Sequence, residues 1–303
     1  MTPSFTRTTS GLRNYAAFFQ SDITIFVEGK QVHGSSASNT VPQTVKTSDE
    51  LFHQSILNLF CPNKRFKIKS VGCKNDLSKY AEKILVGSVR NCAVVFDSDY
   101  ETVLGSWAQW PRIMRTSGYS WENDMWTPEV CERVISLFAG GREWDREKFH
   151  VKFRRMSSRL ERLSRIEVCC RAHGINLIVP NGKSVGIALN GKEKFGVSLT
   201  EIKRLIRRLR SCIKDAWEED IIRLLLSQMR SLSASALVRG HLWEAVCVTL
   251  ISNMLKDIGI AGALANDNVK NVALGVFTQS PDDYLDPHTK MHYRNQLTSA
   301  GYC

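Results

Sequence analysis

The sequence predicts an α/β fold: a parallel sheet flanked by helices, followed by a mostly helical C-terminal region. Two short segments are almost continuously apolar, a third alternates between apolar and charged residues, and amphipathic helical patterns separate the three. Strands covered on both faces of a parallel sheet have this continuous apolar character, whereas alternation suits an edge strand. The predicted order is βαβαβ, with strands at 22–28, 65–71 and 91–97.

Two helices are predicted between these strands. The first, "DELFHQSILNLF", is expected to have Ser48 as its N-cap, with Asp49 and Glu50 favourably placed in the first turn. The second, "DLSKYAEKIL", repeats apolar residues at helical spacing and therefore has one stripe that faces a core. Segment 31–47 is polar and has no helical periodicity, so we expect a long loop insertion after the first strand.

The second half of the chain is predicted to be mainly helical and basic. We expect a basic helix at 153–173, short strands near "INLIVP" and "GIAL", a helix opened by a capping box at Ser198 and Glu201, and more helix to about residue 257. The last 40 residues are expected to be loop-rich. Tryptophans between residues 100 and 150 are interpreted mainly as packing residues. The predicted domains are 1–150, containing the sheet, and 151–303, for substrate or partner binding.

Composition restricts the class of protein. The formal charge of +11 and the pI near 9.3 favour polyanionic partners, of which nucleic acid is the commonest. The nine cysteines contain no C-x-x-C pair, so a zinc ribbon is not expected, and we predict reduced thiols. The sequence has neither a signal-peptide pattern nor an apolar segment long enough to span a bilayer, which predicts a cytoplasmic location.

Charged residues follow two of the predicted strands. Glu28 ends the first strand, and Asp97 and Asp99 end the third, where strand alternation would give the two aspartates a common face. Carboxyl ends of parallel strands share one edge, and carboxylates gathered there need a cation such as Mg²⁺. Gly29 would allow close approach of the backbone to a phosphate, and Lys30 would add positive charge.

Each of these residues also has a structural interpretation. A charged strand end is often only solvated, and aspartates are favoured in turns. His173 is interpreted as a helix C-terminal residue, and Arg239 and His241 as the beginning of a helix. The basic face that includes Arg204, Arg207 and Arg208 is either a solvated helix surface or a guide for a phosphate backbone.

The stretches "IFVEGK" and "VVFDSDYE" resemble the TOPRIM domain of topoisomerases, primases and OLD-family nucleases, which has one Glu after a strand and an Asp-x-Asp after another. The later stretches "SGYSWENDMWTPEVCERVI" and "LVRGHLWEAV" resemble a narrower group of stand-alone TOPRIM-like proteins. Members of that group occur beside ABC-type ATPases in anti-phage systems, and the stretches resemble the effector of the PARIS type. One departure is that relatives continue "VEGK" with an acidic residue, whereas here the polar loop intervenes.

The resemblance implies a Mg²⁺-dependent nuclease, with Mn²⁺ as an alternative metal. It implies Glu28, Asp97 and Asp99 as metal ligands, Glu28 also as general acid or base, and Glu122 and Lys74 as further catalytic residues. Lys30, Arg204, Arg207 and Arg208 are the predicted substrate-binding residues.

The implied role is that of a toxic effector in abortive infection, which cleaves a structured RNA such as tRNA, or DNA. The implied partner is an ABC-type ATPase that keeps the effector inactive, and the active form is expected to be a homodimer. The alternative is a non-catalytic TOPRIM-shaped subunit that docks to the ATPase. A third hypothesis, primase-like nucleotidyl transfer, would require bound nucleoside triphosphate.

Overall fold

The computed structural model describes residues 8–29, 46–105, 110–174, 203, 207, 219–260 and 265–303. The strands are β1 (Ile23–Val27), β2 (Phe66–Ser70), β3 (Cys92–Phe96) and β4 (Ile113–Arg115). Helices in the first half are α1 (Thr9–Phe18), α2 (Ser48–Phe60), α3 (Lys74–Val86), α4 (Glu101–Leu104), α5 (Trp121–Met125), α6 (Pro128–Ala139) and α7 (Arg146–Ala172). Helices in the second half are α8 (Glu219–Gln228), α9 (Ala234–Leu237), α10 (Gly240–Asp257), α11 (Asn266–Gln279), α12 (Pro281–Tyr284) and α13 (Pro287–Ser299).

The described strands form one parallel sheet in the order β2-β1-β3-β4. This confirms the predicted α/β class and the three predicted strands, each of which is one residue shorter at both ends than expected. The strand β4, which has only three residues, was not predicted. The strands β1 and β3 are buried at every position, whereas alternate residues of β2 are only half-buried, as the alternation of Phe66 and Ile68 with lysines predicted.

The sheet separates two apolar clusters. Ile25 and Val27 of β1 face one cluster, together with residues of β2, β3 and the C-terminal segment. Phe26 faces the other, where its ring stacks on Tyr80 of α3 at 4.4 Å between centroids. Because neighbouring strand residues point to opposite faces, a strand covered on both sides must be apolar throughout.

The helix α2 begins one residue earlier than the prediction requires, because its N-cap is Thr47 and not Ser48. Thr47 Oγ1 accepts the Glu50 N–H at 3.2 Å, and Glu50 Oε2 accepts the Thr47 N–H at 3.3 Å, which completes a capping box. Glu50 Oε1 also accepts the N–H of Ser70 at 3.0 Å. The cap therefore joins the start of α2 to the end of β2.

The C-terminal segment is helical, so the prediction that the last 40 residues are loop-rich is wrong. The Phe277 ring stacks on Phe52 of α2 at 5.2 Å, and Leu297 lies in the core beside β1. At the edge of the sheet formed by β4, the Gln296 amide oxygen accepts the Arg115 N–H at 2.7 Å. The amide nitrogen of Gln296 donates to the Arg115 carbonyl at 3.1 Å. Gln296 thus satisfies the backbone of β4, which a further strand would otherwise pair.

A disulfide joins Cys61, the C-cap of α2, to the last residue, Cys303, with Cα atoms 5.4 Å apart. The expectation that all thiols are reduced is therefore wrong at this pair, because the C-terminal helices return the end of the chain to α2. The other described cysteines are free thiols.

The chain divides into two compact units. The described residues of Met1–Asp97, Ala108–Ser117 and Phe277–Cys303 form the sheet unit, and those of Ser98–Trp107 and Gly118–Val276 form the helical unit. This division differs from the predicted boundary at residue 150, which falls inside the continuous helix α7. The basic helix expected at 153–173 is α7, which begins seven residues earlier, at Arg146.

The helical unit packs α10 against α5, α6 and α7. Trp126 is fully buried and its carbonyl accepts the indole N–H of Trp243 at 3.0 Å, so the packing interpretation of the tryptophans is confirmed there, while Trp110 is exposed. No helix in the described ranges combines the length and apolar character needed to span a membrane. The strands near "INLIVP" and "GIAL" and the helix after Ser198 lie outside the described residues, apart from positions 203 and 207.

Candidate functional site

The carboxyl ends of the strands of the sheet unit meet at one edge. Glu28 follows β1 directly, and Asp97 follows β3. Val27 lies opposite Val95 in the parallel register, so Phe96 lies opposite Glu28. Asp97 is the residue after Phe96. Adjacent strands are about 4.8 Å apart, so the two residues follow neighbouring strands at the same edge of the sheet. Both residues are half-buried, and Oε1 of Glu28 is itself buried.

Gly29 and Gly72 continue the contact between β1 and β2 beyond the strand ends. The Gly29 N–H donates to the Gly72 carbonyl at 2.9 Å, and the Gly72 N–H donates to Gly29 at 2.8 Å. Gly29 has a φ of 141° and Gly72 a φ of 103°, a region that residues with a side chain rarely adopt. The glycine of "VEGK" is therefore required by this backbone pairing.

Asp49 of α2 lies beside Gly29, and this position at the edge was not predicted. A Cβ atom on Gly29 would lie 3.1 Å from Asp49 Oδ2 and 3.1 Å from Ser70 Oγ. The sequence separates Asp49 from Glu28 by the polar loop, so its neighbours gave no signal of this proximity. The capping box of α2 brings it there, because Glu50 and Thr47 are both bonded to the end of β2.

Lys74, which the resemblance implies as a catalytic residue, also lies at this edge. It is the first residue of α3, after the N-cap Cys73, and does not belong to the end of β2. Its side chain is half-buried and it follows Gly72 by two residues. Lys30, the other predicted cation at this edge, lies outside the described residues.

Asp99 begins a turn of the helical unit. The strand β3 ends at Phe96, and Asp99 has a φ of 49°, so the extended backbone assumed for a common face of Asp97 and Asp99 does not reach Asp99. Strand alternation therefore does not determine where its side chain points. The Asp99 N–H donates to the Tyr119 carbonyl at 2.8 Å.

Glu122, predicted as a catalytic residue, is a buried member of the helical unit. It lies in α5 and is only 4% exposed, with Oε2 accepting the Ser120 hydroxyl at 2.5 Å and Oε1 lying 3.0 Å from Nδ1 of His241. Burial raises the pKa of Glu122, but the hydrogen bonds and the charge of His241 outweigh it, and the pKa is lowered overall. The bond to Glu122 raises the pKa of His241, whose imidazole is exposed.

The contact between His241 and Glu122 was not predicted from the sequence. The prediction that Arg239 and His241 begin a helix is confirmed, with Arg239 as the N-cap of α10. His173 is the C-cap of α7, as predicted. Among the described residues, no group of three or more His, Cys, Asp and Glu side chains has the spacing of a metal site.

The predicted substrate-binding arginines are largely outside the described residues, and only Arg207 is described, as exposed. The described part of the chain offers another basic surface on α7. Arg154, Arg155 and Arg162 are exposed there, while Phe153, Met156 and Leu160 of the same helix are buried.

No protein-family model matches this chain, and no curated protein matches it either.

Proposed function

We propose that the chain is a Mg²⁺-dependent nuclease whose sheet unit is a TOPRIM-like domain. One observation carries the proposal: Glu28 and Asp97 follow adjacent parallel strands of fixed register, with Asp49 beside Gly29 at the same edge. Relatives have an acidic residue directly after "VEGK", which this sequence lacks, and in this proposal Asp49 supplies it.

The donor set fits the proposed ion. Mg²⁺ takes oxygen ligands, commonly one or two carboxylates with water and substrate phosphate completing the coordination, and three half-buried carboxyl groups supply such oxygens. Mn²⁺ accepts similar ligands. Carboxylates gathered at one edge of a sheet repel one another, and a divalent cation would relieve that repulsion.

When bound, the ion would polarise the scissile phosphate and lower the pKa of a water molecule. The residues of the chain have other tasks in this proposal. Glu28, with one buried oxygen, holds the ion or moves a proton, and Lys74 at the start of α3 contacts the phosphate. Gly29 has no side chain that would block approach of the phosphate to this edge.

The proposed substrate is a nucleic acid held by its phosphates. The net charge of +11 and the exposed arginines of α7 support this class of substrate, because phosphate contacts orient a nucleic acid without reading its sequence. Family resemblance favours a structured RNA such as tRNA, with DNA as the alternative. The same resemblance suggests an ABC-type ATPase that holds the toxic effector inactive, and a homodimer as the active form.

The test is cleavage by the purified protein. Labelled tRNA, single-stranded DNA and duplex DNA are incubated with Mg²⁺ or with chelator, using wild type, Glu28→Gln and the control Glu82→Gln, an exposed carboxylate of α3. We expect Mg²⁺-dependent cleavage that falls at least about 100-fold in Glu28→Gln and is unchanged in Glu82→Gln.

The same variants separate this proposal from a docking subunit. Toxicity in cells that is unchanged by Glu28→Gln, together with an intact complex with the ATPase, would favour the docking function. Loss of toxicity with the complex intact supports the nuclease.

A further inference from the structure

The helix α7 has one face buried in the helical unit and another face that carries arginines. Phe153 and Leu160 lie on the buried face. Arg154, Arg155 and Arg162 are exposed, and these three residues are called the arginine row below. Arg155 and Arg162 are seven residues apart, which is nearly two turns, so they lie on the same side of the helix about 10 Å apart along its axis.

Neighbouring side chains of α7 leave the face of the arginine row positive. The nearby Glu161 is half-buried and forms an ion pair with Arg165, which offsets its charge. Burial lowers the pKa of Arg159, and the positive charge of Arg155 lowers it further, so guanidinium groups one turn apart repel each other here. Like charges at this spacing destabilise a helix. A bound anion would relieve the repulsion, which points to an anionic ligand on this face.

The phenylalanines of α7 are not available for stacking on bases. Phe149 and Phe153 are buried, and the Phe153 ring contacts the Trp243 ring inside the helical unit, with centroids 5.6 Å apart. Proteins that bind single strands combine a basic groove with aromatic side chains on which the bases stack. A helix face that presents guanidinium groups, with its phenylalanines buried, suits the phosphates of a double-stranded nucleic acid, whose bases are already stacked on one another.

The length of the arginine row matches a short run of phosphates. A strand of B-form DNA has one phosphate for about every 3.4 Å of helix axis. The distance of about 10 Å along α7 between Arg155 and Arg162 therefore corresponds to about three phosphates, one for each arginine of the row. Arginine suits such contacts, because its planar guanidinium group can donate two parallel hydrogen bonds to one phosphate.

We propose that the arginine row is a binding surface for the backbone of double-stranded nucleic acid, in which Arg154, Arg155 and Arg162 each contact a phosphate. The inference rests on the proposed function for the class of substrate and deepens it by naming a surface and the double-stranded form. It concerns binding by the helical unit and needs neither the metal nor the residues at the edge of the sheet unit. Because phosphates are the same in every sequence, this surface binds without reading the bases.

The test is binding of labelled nucleic acid to the full-length protein, with chelator present and over a range of about 50 to 200 mM salt. The probes are double-stranded RNA, double-stranded DNA of the same sequence, and their single strands. The row variant has glutamine at all three positions of the arginine row. The control variant has glutamine in place of Arg142, Arg230 and Lys256, which are exposed residues elsewhere in the helical unit, so it loses the same net charge. A third variant has lysine at the three positions of the row.

We expect wild type to bind the duplexes more tightly than their single strands. In the row variant, the slope of log affinity against log salt concentration should become shallower by about 2–3, since each lost phosphate contact accounts for about 0.9. The slope should change little in the control variant, and the lysine variant should keep the wild-type slope because it keeps the charge. Urea unfolding should be the same for the row variant as for wild type, because glutamine is a good helix former.

Binding of either duplex through the row supports the inference, and the tighter of the two identifies the preferred sugar. Equal loss of slope in the row variant and the control variant would overturn it, because only net charge would then matter. Tighter binding of the single strands would also overturn it. In both of these cases Mg²⁺-dependent cleavage that requires Glu28 leaves the proposed function standing. Duplex binding through the row without any cleavage would instead contradict the proposed function and support this inference.

Discussion

Gly29→Ala should destabilise the sheet unit at the candidate site. The φ of 141° costs a residue with a side chain about 1–3 kcal/mol, and the added Cβ would lie 3.1 Å from both Asp49 Oδ2 and Ser70 Oγ, closer than ordinary contact. We therefore expect a loss of about 2–3 kcal/mol in the free energy of unfolding, a large fraction of the stability of a typical domain. The pairing of Gly29 with Gly72 is expected to loosen as well.

The assay is urea unfolding, in which a lower midpoint at an unchanged slope reports lost stability. The matched control is Gly275→Ala in α11, where an added Cβ meets no atom within 4 Å and the backbone is helical. That change should stabilise by about 0.5–1 kcal/mol. A Gly29→Ala protein as stable as wild type would refute the backbone reasoning, because an alanine would then occupy this conformation without cost.

Three further predictions concern stability. Thr47→Ala should lower the free energy of unfolding in urea by about 1–2 kcal/mol, because the capping box of α2 is lost. Ser48→Ala should be nearly neutral. Equal effects of the two changes would contradict the assignment of Thr47 as the N-cap. For the Glu122–His241 pair, the pKa of His241 is raised, so its contribution to stability is complete below about pH 6.5 and is lost as pH rises through the raised pKa. The pKa of Glu122 is lowered, so its contribution is present above about pH 4.5 and is lost as pH falls through the lowered pKa. The stability difference between wild type and His241→Gln should therefore be largest between these two pH values, and a difference independent of pH would argue against the pair. Cys303→Ser should lower the free energy of unfolding by about 2–4 kcal/mol under oxidising conditions and leave it unchanged under reducing ones, because the disulfide to Cys61 is lost. The measurement is thermal unfolding of wild type and variant with and without reductant. If the two proteins unfold alike in both conditions, the disulfide does not contribute to stability.

Local sequence patterns predicted the core of the sheet well. The segments that form β1 and β3 are almost continuously apolar, a pattern that is typical of strands buried on both faces. The sequence therefore indicated that both are central strands of the sheet. In contrast, β4 has three residues and no apolar run, and it forms because β3 offers it a parallel neighbour and Gln296 satisfies its other side. Such a strand depends on distant partners and has no local pattern.

The N-cap of α2 shows why element ends are harder. Thr47 and Ser48 are both good N-cap residues, and the sequence alone does not choose between them. The contact with Ser70, at the end of β2, favours Thr47 as the N-cap, because the Ser70 hydroxyl lies 3.0 Å from Thr47 Oγ1. Asp49 was missed for the same reason, because its proximity to Gly29 follows from that cap.

The C-terminal helices were missed because their periodicity is weak. Three large side chains, Phe277, Tyr293 and Leu297, are buried inside the sheet unit, and most other residues of α13 are polar. The stability of such helices comes from tertiary packing, which a local pattern does not report. Proline at the first position of α12 and of α13 was the available signal for their beginnings.

The central claim is that Glu28 and Asp97 hold the same ion, and calorimetric titration of Mg²⁺ into four proteins tests it most directly. Wild type, Glu28→Gln, Asp97→Asn and the double variant are compared at one pH and ionic strength. If the two carboxylates share an ion, each single change should weaken binding by at least about 10-fold, and the double variant should be little worse than the weaker single variant. Wild-type affinity in both single variants would contradict the shared site.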